Sequence, residues 1–179
     1  MENKLIIYVD MDGTIADIRS AVSEYKEKYD SKKTDDISYL YPWSVPGFFA
    51  SLKPLPGAIE GVKKLAETED VWFLSRPSFK NTPSYTEKAE WIRQYFGYEM
   101  QKKLILAGNK ALMMGDILID DGDNANQEEF KGVWIRYDWD PFTDWNSVLN
   151  EVYKIKDQRR REVAELYDDI LGKNRKKSV

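Results

Sequence analysis

The sequence predicts an α/β protein: a Rossmann-like parallel sheet with helices on both faces and a small helical cap inserted after the first strand. Three observations support this prediction. Short apolar runs alternate with helix-like stretches along the chain, an order typical of parallel sheets with right-handed crossovers. The first run, Leu5–Val9, is apolar without interruption, as expected of a strand buried on both faces. The segment 17–51 that follows is too long for a plain connection.

Four further strands are predicted from short apolar runs bounded by polar residues or glycine. They lie at 71–74, 104–106, 116–121 and 133–137. Because parallel strands end at the same edge of a sheet, the polar residues that follow these strands are expected to meet there.

Helices are predicted where apolar residues recur at three- and four-residue spacing. The last helix is expected to break near Asp157 and to end at Leu171-Gly172, before a frayed basic tail over Lys173–Val179. Gly97 is expected to stop the helix that precedes it. The predicted helices cover 18–29, a stretch that begins at Pro56-Gly57, 85–95 and the stretch from 144 or 145 onward.

The segment 17–51 is assigned to the inserted cap, and residues 1–16 and 52–179 to the core domain. Within this segment, residues 30–38 are loop-like, and residues 39–49 place aromatic side chains between prolines and a glycine. These aromatic residues form either the core of the cap or part of a binding site.

Composition excludes several kinds of chemistry. The chain has no cysteine and no histidine, so disulfides, thiolate metal sites and Ser-His-Asp hydrolysis are excluded. A net charge of −4 with mixed signs argues against a nucleic-acid partner. Without an apolar run long enough for a bilayer or a signal-peptide pattern, we expect a cytoplasmic protein with no membrane partner.

Asp10 and Asp12 follow the first strand directly, and Gly13 and Thr14 come next. Two neighbouring carboxylates at the end of a buried strand are costly unless a cation shares their site. Mg²⁺ with a phosphate opposite would make the arrangement favourable. The alternative is an Asp-Gly turn with solvated acids.

Polar groups also follow the second and fourth strands, and a lysine lies between the third and fourth. Ser75, Lys110 and Asp120-Asp121 add a hydroxyl, a cation and further carboxylates to the same edge. This set suits phosphoryl transfer, in which a metal ion and a lysine offset negative charge. Each has a structural alternative: Ser75 as a turn residue, Lys110 as a solvated loop lysine, and Asp120-Asp121 as a polar turn before Gly122.

These residues resemble the four motifs of the haloacid dehalogenase superfamily, and further stretches resemble its 5'(3')-deoxyribonucleotidases. The likeness covers roughly residues 4–150, and the cap between about 25 and 46 diverges. The similar stretches are Asp10–Thr14, Phe48–Ala58, Glu87-Lys88 with Trp91, Tyr95–Gly97 and Lys110–Asp121.

The resemblance implies a role for each matching residue. Asp10 would be the nucleophile, and Asp12 the general acid and base, a role that needs a raised pKa. Asp10, Asp12 through its backbone carbonyl, and either Asp120 or Asp121 would hold Mg²⁺, with Asp121 favoured as the direct ligand. The residues implied to bind the phosphoryl group are Ser75, Lys110 and Arg76, helped by backbone N–H groups near Met11 and Arg76.

The resulting hypothesis is a Mg²⁺-dependent phosphatase that hydrolyses nucleoside monophosphates through an aspartyl-phosphate. The base and sugar would lie against Trp43, Phe48, Phe49 and Lys80, with Tyr39 and Tyr41 in the same aromatic cluster. The alternatives are a phosphatase for another small ester, such as a sugar phosphate, and a non-catalytic binding module. A second copy of the chain is a possible partner, because Val163, Leu166, Tyr167 and Ile170 form an apolar face on the last helix.

Overall fold

The structure, a computed structural model, describes residues 4–30, 41–122 and 124–176. Five parallel strands form one sheet in the order β3-β2-β1-β4-β5, with β1 at its centre. This confirms the predicted parallel α/β fold. The strands are β1 (Ile6–Val9), β2 (Asp70–Ser75), β3 (Leu104–Leu106), β4 (Ile117–Asp120) and β5 (Val133–Arg136).

The helices lie close to their predicted positions, except at the end of the chain. α5 continues without a break past Asp157 and past Gly172, so the predicted break, the predicted end and the frayed start of the tail are wrong. Residues 157–171 hold neither proline nor glycine, and nothing in them stops a helix. The helices are α1 (Ile18–Asp30), α2 (Ala58–Thr68), α3 (Ser84–Phe96), α4 (Tyr98–Gln101) and α5 (Trp145–Lys176).

The short helix α4 was not predicted. Gly97 ends α3 with a positive φ of 87°, a conformation that glycine adopts at little cost, and thereby confirms the predicted stop. The chain then makes one further helical turn before β3.

The two faces of the sheet are covered differently. Ile7 and Val9 face α2, α3 and α5, and together they form the larger core. Tyr8, on the opposite face, packs in a smaller cluster with Leu118 and Phe130. Because crossovers are right-handed, the connections that lead to β4 and β5 run along this second face. In their described residues, these connections contain the single-turn 3₁₀ helices Lys110–Leu112 and Gln127–Glu129 instead of α-helices.

In its described residues, the segment between β1 and α2 contains α1 and the 3₁₀ helices Pro42–Ser44 and Phe49–Ser51. Of the loop predicted over 30–38, Asp30 instead ends α1. The rest of that loop, and Tyr39 of the aromatic cluster, lie outside the described residues. Among the described helices, none has the length and apolar character needed to cross a membrane.

Candidate active site

Three strands end side by side at one edge of the sheet. Val9 pairs with Phe73 of β2 on one side and with Ile119 of β4 on the other. Asp10 follows directly, and its backbone N–H donates to the Ile119 carbonyl at 2.9 Å. The register therefore brings Asp10, Ser75 and Asp120 to the carboxyl edge, where parallel sheets bind ligands.

Three carboxylates converge at this edge. Asp10, Asp120 and Asp121 each offer an oxygen, and these oxygens all lie within 4.8 Å of one another. Burial, followed by the charge of Asp10, raises the pKa of Asp120 to about 6. Burial and the charges of Asp10 and Asp120 raise the pKa of Asp121 to about 7. Oxygen ligands of this kind suit a hard cation such as Mg²⁺, which would offset the repulsion that raises both pKa values.

Lys110 lies directly beside this group. Its ammonium is 2.7 Å from Asp10 Oδ1 and also contacts Asp120, and the lysine is almost fully buried. Burial acts to lower the pKa of Lys110, but its contacts with Asp10 and Asp120 outweigh burial and raise it. The Lys110 N–H donates to the Ala125 carbonyl at 2.8 Å, which holds the lysine at the start of its 3₁₀ helix.

Asp12 faces a different cation from Asp10. The Lys88 ammonium of α3 lies 2.5 Å from Asp12 Oδ2 and 2.9 Å from Ser75 Oγ, and Lys88 is fully buried. Burial raises the pKa of Asp12, Lys88 acts to lower it, and Asp10 adds to the increase. Oδ1 of Asp12 is buried and has no hydrogen-bond partner among the residues that the structure describes, so this oxygen can accept or hold a proton.

Sequence reasoning assigned no role to Lys88. A signal was nevertheless present, because Lys88 lies four residues before Ile92 on the inward face of α3. A lysine is almost never fully buried unless it is paired. A charged residue on the apolar face of a predicted helix therefore indicates either that this residue has a partner in the fold or that the buried face was assigned wrongly.

Asp121 is held by the loop after β1 and by α1. Its backbone N–H donates to the Thr14 hydroxyl at 3.1 Å, and the Arg19 guanidinium lies 3.4 Å from its Oδ2. Arg19 also pairs with Asp138, after β5. Gly13 has a φ of 83°, and a Cβ there would lie 2.1 Å from Asp121 Oδ2, so the glycine makes room for this carboxylate.

A cleft of about 500 Å³ opens above these groups. Its floor contains Asp10, Asp12, Lys110, Asp120 and Asp121. Its walls include Trp43, Phe49, Arg76, Phe79 and Lys80. A volume of this size suits a small organic ligand.

The walls contain most, but not all, of the side chains expected there. Phe48 lines a separate groove and packs against Tyr25, with 6.4 Å between ring centroids. Arg76 donates to the Asn124 carbonyl at 3.0 Å and lies over the Phe79 ring. Tyr41 packs edge-on against Trp43, at 5.7 Å between centroids.

Comparison with known proteins identifies relatives over most of the chain. A 5'(3')-deoxyribonucleotidase of Vibrio phage KVP40, named putative, is 33% identical over 82% of this chain and 84% of its own. The cytosolic 5'(3')-deoxyribonucleotidase of Homo sapiens is 27% identical over 75% of this chain and 79% of its own.

The fold is shared with solved structures of haloacid dehalogenase-like hydrolases. One from Xanthomonas campestris has a TM-score of 0.57 at 10% identity, and covers 90% of this chain and all of its own. One from Bacillus subtilis, solved with bound magnesium, has a TM-score of 0.50 at 12% identity, over 86% of this chain and 99% of its own.

A family model matches residues 4–157, from β1 into α5. The match includes each of the carboxylates and lysines at the carboxyl edge of the sheet. The chain therefore belongs to the family described as 5' nucleotidase, deoxy (pyrimidine), cytosolic type C.

Proposed function

We propose that this protein is a Mg²⁺-dependent phosphatase that hydrolyses nucleoside monophosphates to nucleoside and phosphate, with deoxyribonucleotides as preferred substrates. The main support is the cluster of Asp10, Asp120 and Asp121 beside Lys110, at the floor of a cleft with aromatic walls. Membership of the family and the names of its relatives support the substrate class.

Asp10 is the proposed nucleophile. One of its carboxylate oxygens forms a bond to phosphorus while the bond from phosphorus to the nucleoside oxygen breaks, which yields an aspartyl-phosphate. Asp12 gives its proton to the departing oxygen and then removes a proton from the water that attacks the aspartyl-phosphate. This attack breaks the bond between phosphorus and the Asp10 oxygen, which releases phosphate and restores the Asp10 carboxylate. The raised pKa of Asp12 supports this role, because the first step needs its protonated form.

The surrounding cations offset the charge of the phosphoryl group. Lys110 and Lys88 each lie beside one of the reacting carboxylates, and Ser75, held by Lys88, supplies a hydroxyl. We assign phosphoryl binding to these three residues and to Arg76 at the cleft wall.

Asp10, Asp120 and Asp121 would hold Mg²⁺, together with the backbone carbonyl of Asp12. When bound, the ion supplies electrostatic stabilisation of the phosphoryl oxygens. The carboxylate donors fit this ion, and the magnesium-bound structure of the Bacillus subtilis hydrolase supports the choice.

The nucleoside is assigned to the upper part of the cleft. Trp43 and Phe49 line this part of the cleft, and base stacking on aromatic rings is worth about 1–3 kcal/mol per base. Lys80 would reach the sugar or base from the same wall. Phe48 is omitted, because its ring lines another groove.

Three further assignments belong to this proposal. The segment 17–51 would act as a cap over the core, since it supplies Trp43 and Phe49. A cytosolic human relative supports a cytoplasmic location. A second copy of the chain would cover the exposed apolar residues of α5, among them Leu166 and Tyr167.

A screen of phosphate release with and without Mg²⁺, over all ribo- and deoxyribonucleoside monophosphates and a set of sugar phosphates, tests the function. We expect Mg²⁺-dependent turnover that favours deoxyribonucleotides. Equal turnover of sugar phosphates would favour a phosphatase for other esters. Absence of Mg²⁺-stimulated release from every substrate would favour a binding module.

A further inference from the structure

Two adjacent charged residues of α3 are buried and point to different parts of the site. Lys88 reaches Asp12 and Ser75. The Glu87 carboxylate instead accepts two backbone N–H groups, from Gly47 at 2.6 Å and from Phe49 at 3.0 Å. Glu87 is only 7% exposed, so these two backbone N–H groups are the partners of a carboxylate that solvent barely reaches.

The chain from Val45 to Leu52, here called the return segment, is held by two further side chains, one in the loop before α3 and one on α3. Asn81 donates to the Val45 carbonyl at 2.9 Å, and the Trp91 indole donates to the Leu52 carbonyl at 2.8 Å. Together with the two bonds of Glu87, these contacts fix the return segment along its length. Glu87 bonds its middle, on either side of Phe48.

The return segment connects two aromatic residues of the cleft wall, Trp43 and Phe49. It begins directly after the 3₁₀ helix that contains Trp43, and it contains Phe49. The Phe49 ring lies 4.5 Å from the Lys88 ammonium. Helix α3 therefore holds the backbone at Phe49 through Glu87, and it places the Lys88 ammonium against the Phe49 ring. One helix thus fixes the distance between the aromatic wall and the phosphoryl site.

We propose that Glu87 is a positioning residue for substrate selection, which holds Phe49 and Trp43 at the distance from the phosphoryl site that a nucleoside requires. This inference rests on the proposed function. Hydrogen bonds to a buried charge are the strong ones in proteins, and loss of one leaves backbone donors without partners. Recognition of the nucleoside should therefore depend on Glu87, whereas chemistry at a minimal phosphate ester should not.

The test compares Glu87→Gln with the wild-type protein on two substrates, a deoxyribonucleoside monophosphate and phenyl phosphate. The amide keeps the shape of the side chain but turns one acceptor into a donor that faces a backbone N–H. We expect KM for the nucleotide to rise about tenfold with kcat little changed, and both constants for phenyl phosphate to stay within about twofold.

Asn81→Ala weakens the same segment at Val45 and should shift KM in the same direction by a smaller factor. It also serves as the test if Glu87→Gln does not fold, which thermal unfolding will reveal. Glu90→Gln, at an exposed position on the same helix, is the matched control and should match the wild type.

Equal losses on both substrates, or no loss on the nucleotide, would overturn the role of Glu87 while leaving the proposed function intact. A wild-type protein that hydrolyses phenyl phosphate but no nucleotide would contradict the proposed function itself, and the inference with it.

Discussion

Asp12 can act first as an acid and then as a base only if its pKa allows both protonation states near the working pH. Opposing influences set that pKa, and Asp10 acts in the same direction as burial. Burial raises the pKa, whereas Lys88 lowers it. Removal of Lys88 should leave a carboxyl group that protonates more readily and releases its proton less readily. Lys88 thus lowers the pKa of Asp12, in addition to offsetting the negative charge of the phosphoryl group.

Lys88→Met keeps most of the length of the side chain and removes its charge. We expect kcat to fall by about a hundredfold. The limb of the pH–rate profile that requires ionised Asp12 should move to higher pH, because the influence that lowers its pKa is lost. A profile of kcat against pH checks this, and a lower rate with an unmoved limb would mean that Lys88 contributes only charge.

Arg19 acts on the proposed metal site from outside it. Its guanidinium lies between Asp121 and Asp138 and lowers the pKa of Asp121. Arg19→Gln should therefore favour protonated Asp121 and weaken Mg²⁺ binding, by roughly tenfold on the scale of groups that orient metal ligands.

Titration calorimetry with Mg²⁺ at two pH values measures this effect. The loss should be larger near about pH 7 than near about pH 8.5, where Asp121 is ionised in both proteins. Arg159→Gln, which breaks an ion pair with Asp116, is the control. An unchanged affinity in Arg19→Gln would exclude the positioning role.

The residues at the strand ends could be predicted from sequence, because a strand that ends in a carboxylate fixes where that carboxylate lies. Arg19, Glu87 and Lys88 could not be assigned, since their partners are far away in the chain and only the packing of helices on the sheet joins them. Phe48 shows the same limit, because adjacent aromatic residues point to different sides and the sequence does not reveal which one faces the cleft.

At the level of elements, strands were easier to predict than the length of the last helix. A strand in a parallel sheet is marked by a short apolar run, and its end by the polar residue that follows. α5 has an apolar face that stays unburied beyond Asp157: Val163 and Tyr167 are 53% and 67% exposed. Burial therefore does not show where this helix stops.

Deletion of residues 161–179 tests the role of this extension. Arg159 of α5 pairs with Asp116, directly before β4, and residues 160–170 are exposed. We expect kcat/KM to stay within about twofold of the wild-type value, because removal of exposed residues away from the site costs little. The helical signal in circular dichroism should fall. A large loss of activity would show that the extension reaches the site, for example from a second copy.

For the molecule as a whole, the acidic cluster makes stability depend on pH and on metal. Asp120 and Asp121 have pKa values of about 6 and about 7 in the fold, against 3.8 as reference. At pH values between the reference pKa and the pKa values in the fold, the folded protein therefore binds more protons than the unfolded chain. The stability that these groups contribute is complete below about pH 4 and is lost as pH rises through 6 to 7.

In EDTA, the melting temperature should fall as pH rises from about 5 to about 8, because the stability that these two groups contribute is lost over this range. Mg²⁺ should raise the melting temperature more at the higher pH, where the carboxylates are ionised and repel one another. Asp121→Asn should weaken both effects. Scanning calorimetry over this range measures them, and equal stabilisation by Mg²⁺ at both pH values would contradict this account of the cluster.

Covalent transfer to Asp10 is the central claim, and acid-quenched turnover followed by peptide mass spectrometry tests it most directly. With Mg²⁺ and a deoxyribonucleoside monophosphate, the peptide that contains Asp10 should gain one phosphoryl group during turnover, and the same peptide from Asp10→Asn should gain none. Release of phosphate at the wild-type rate from Asp10→Asn, or a phosphoryl group on any other residue, would contradict the account.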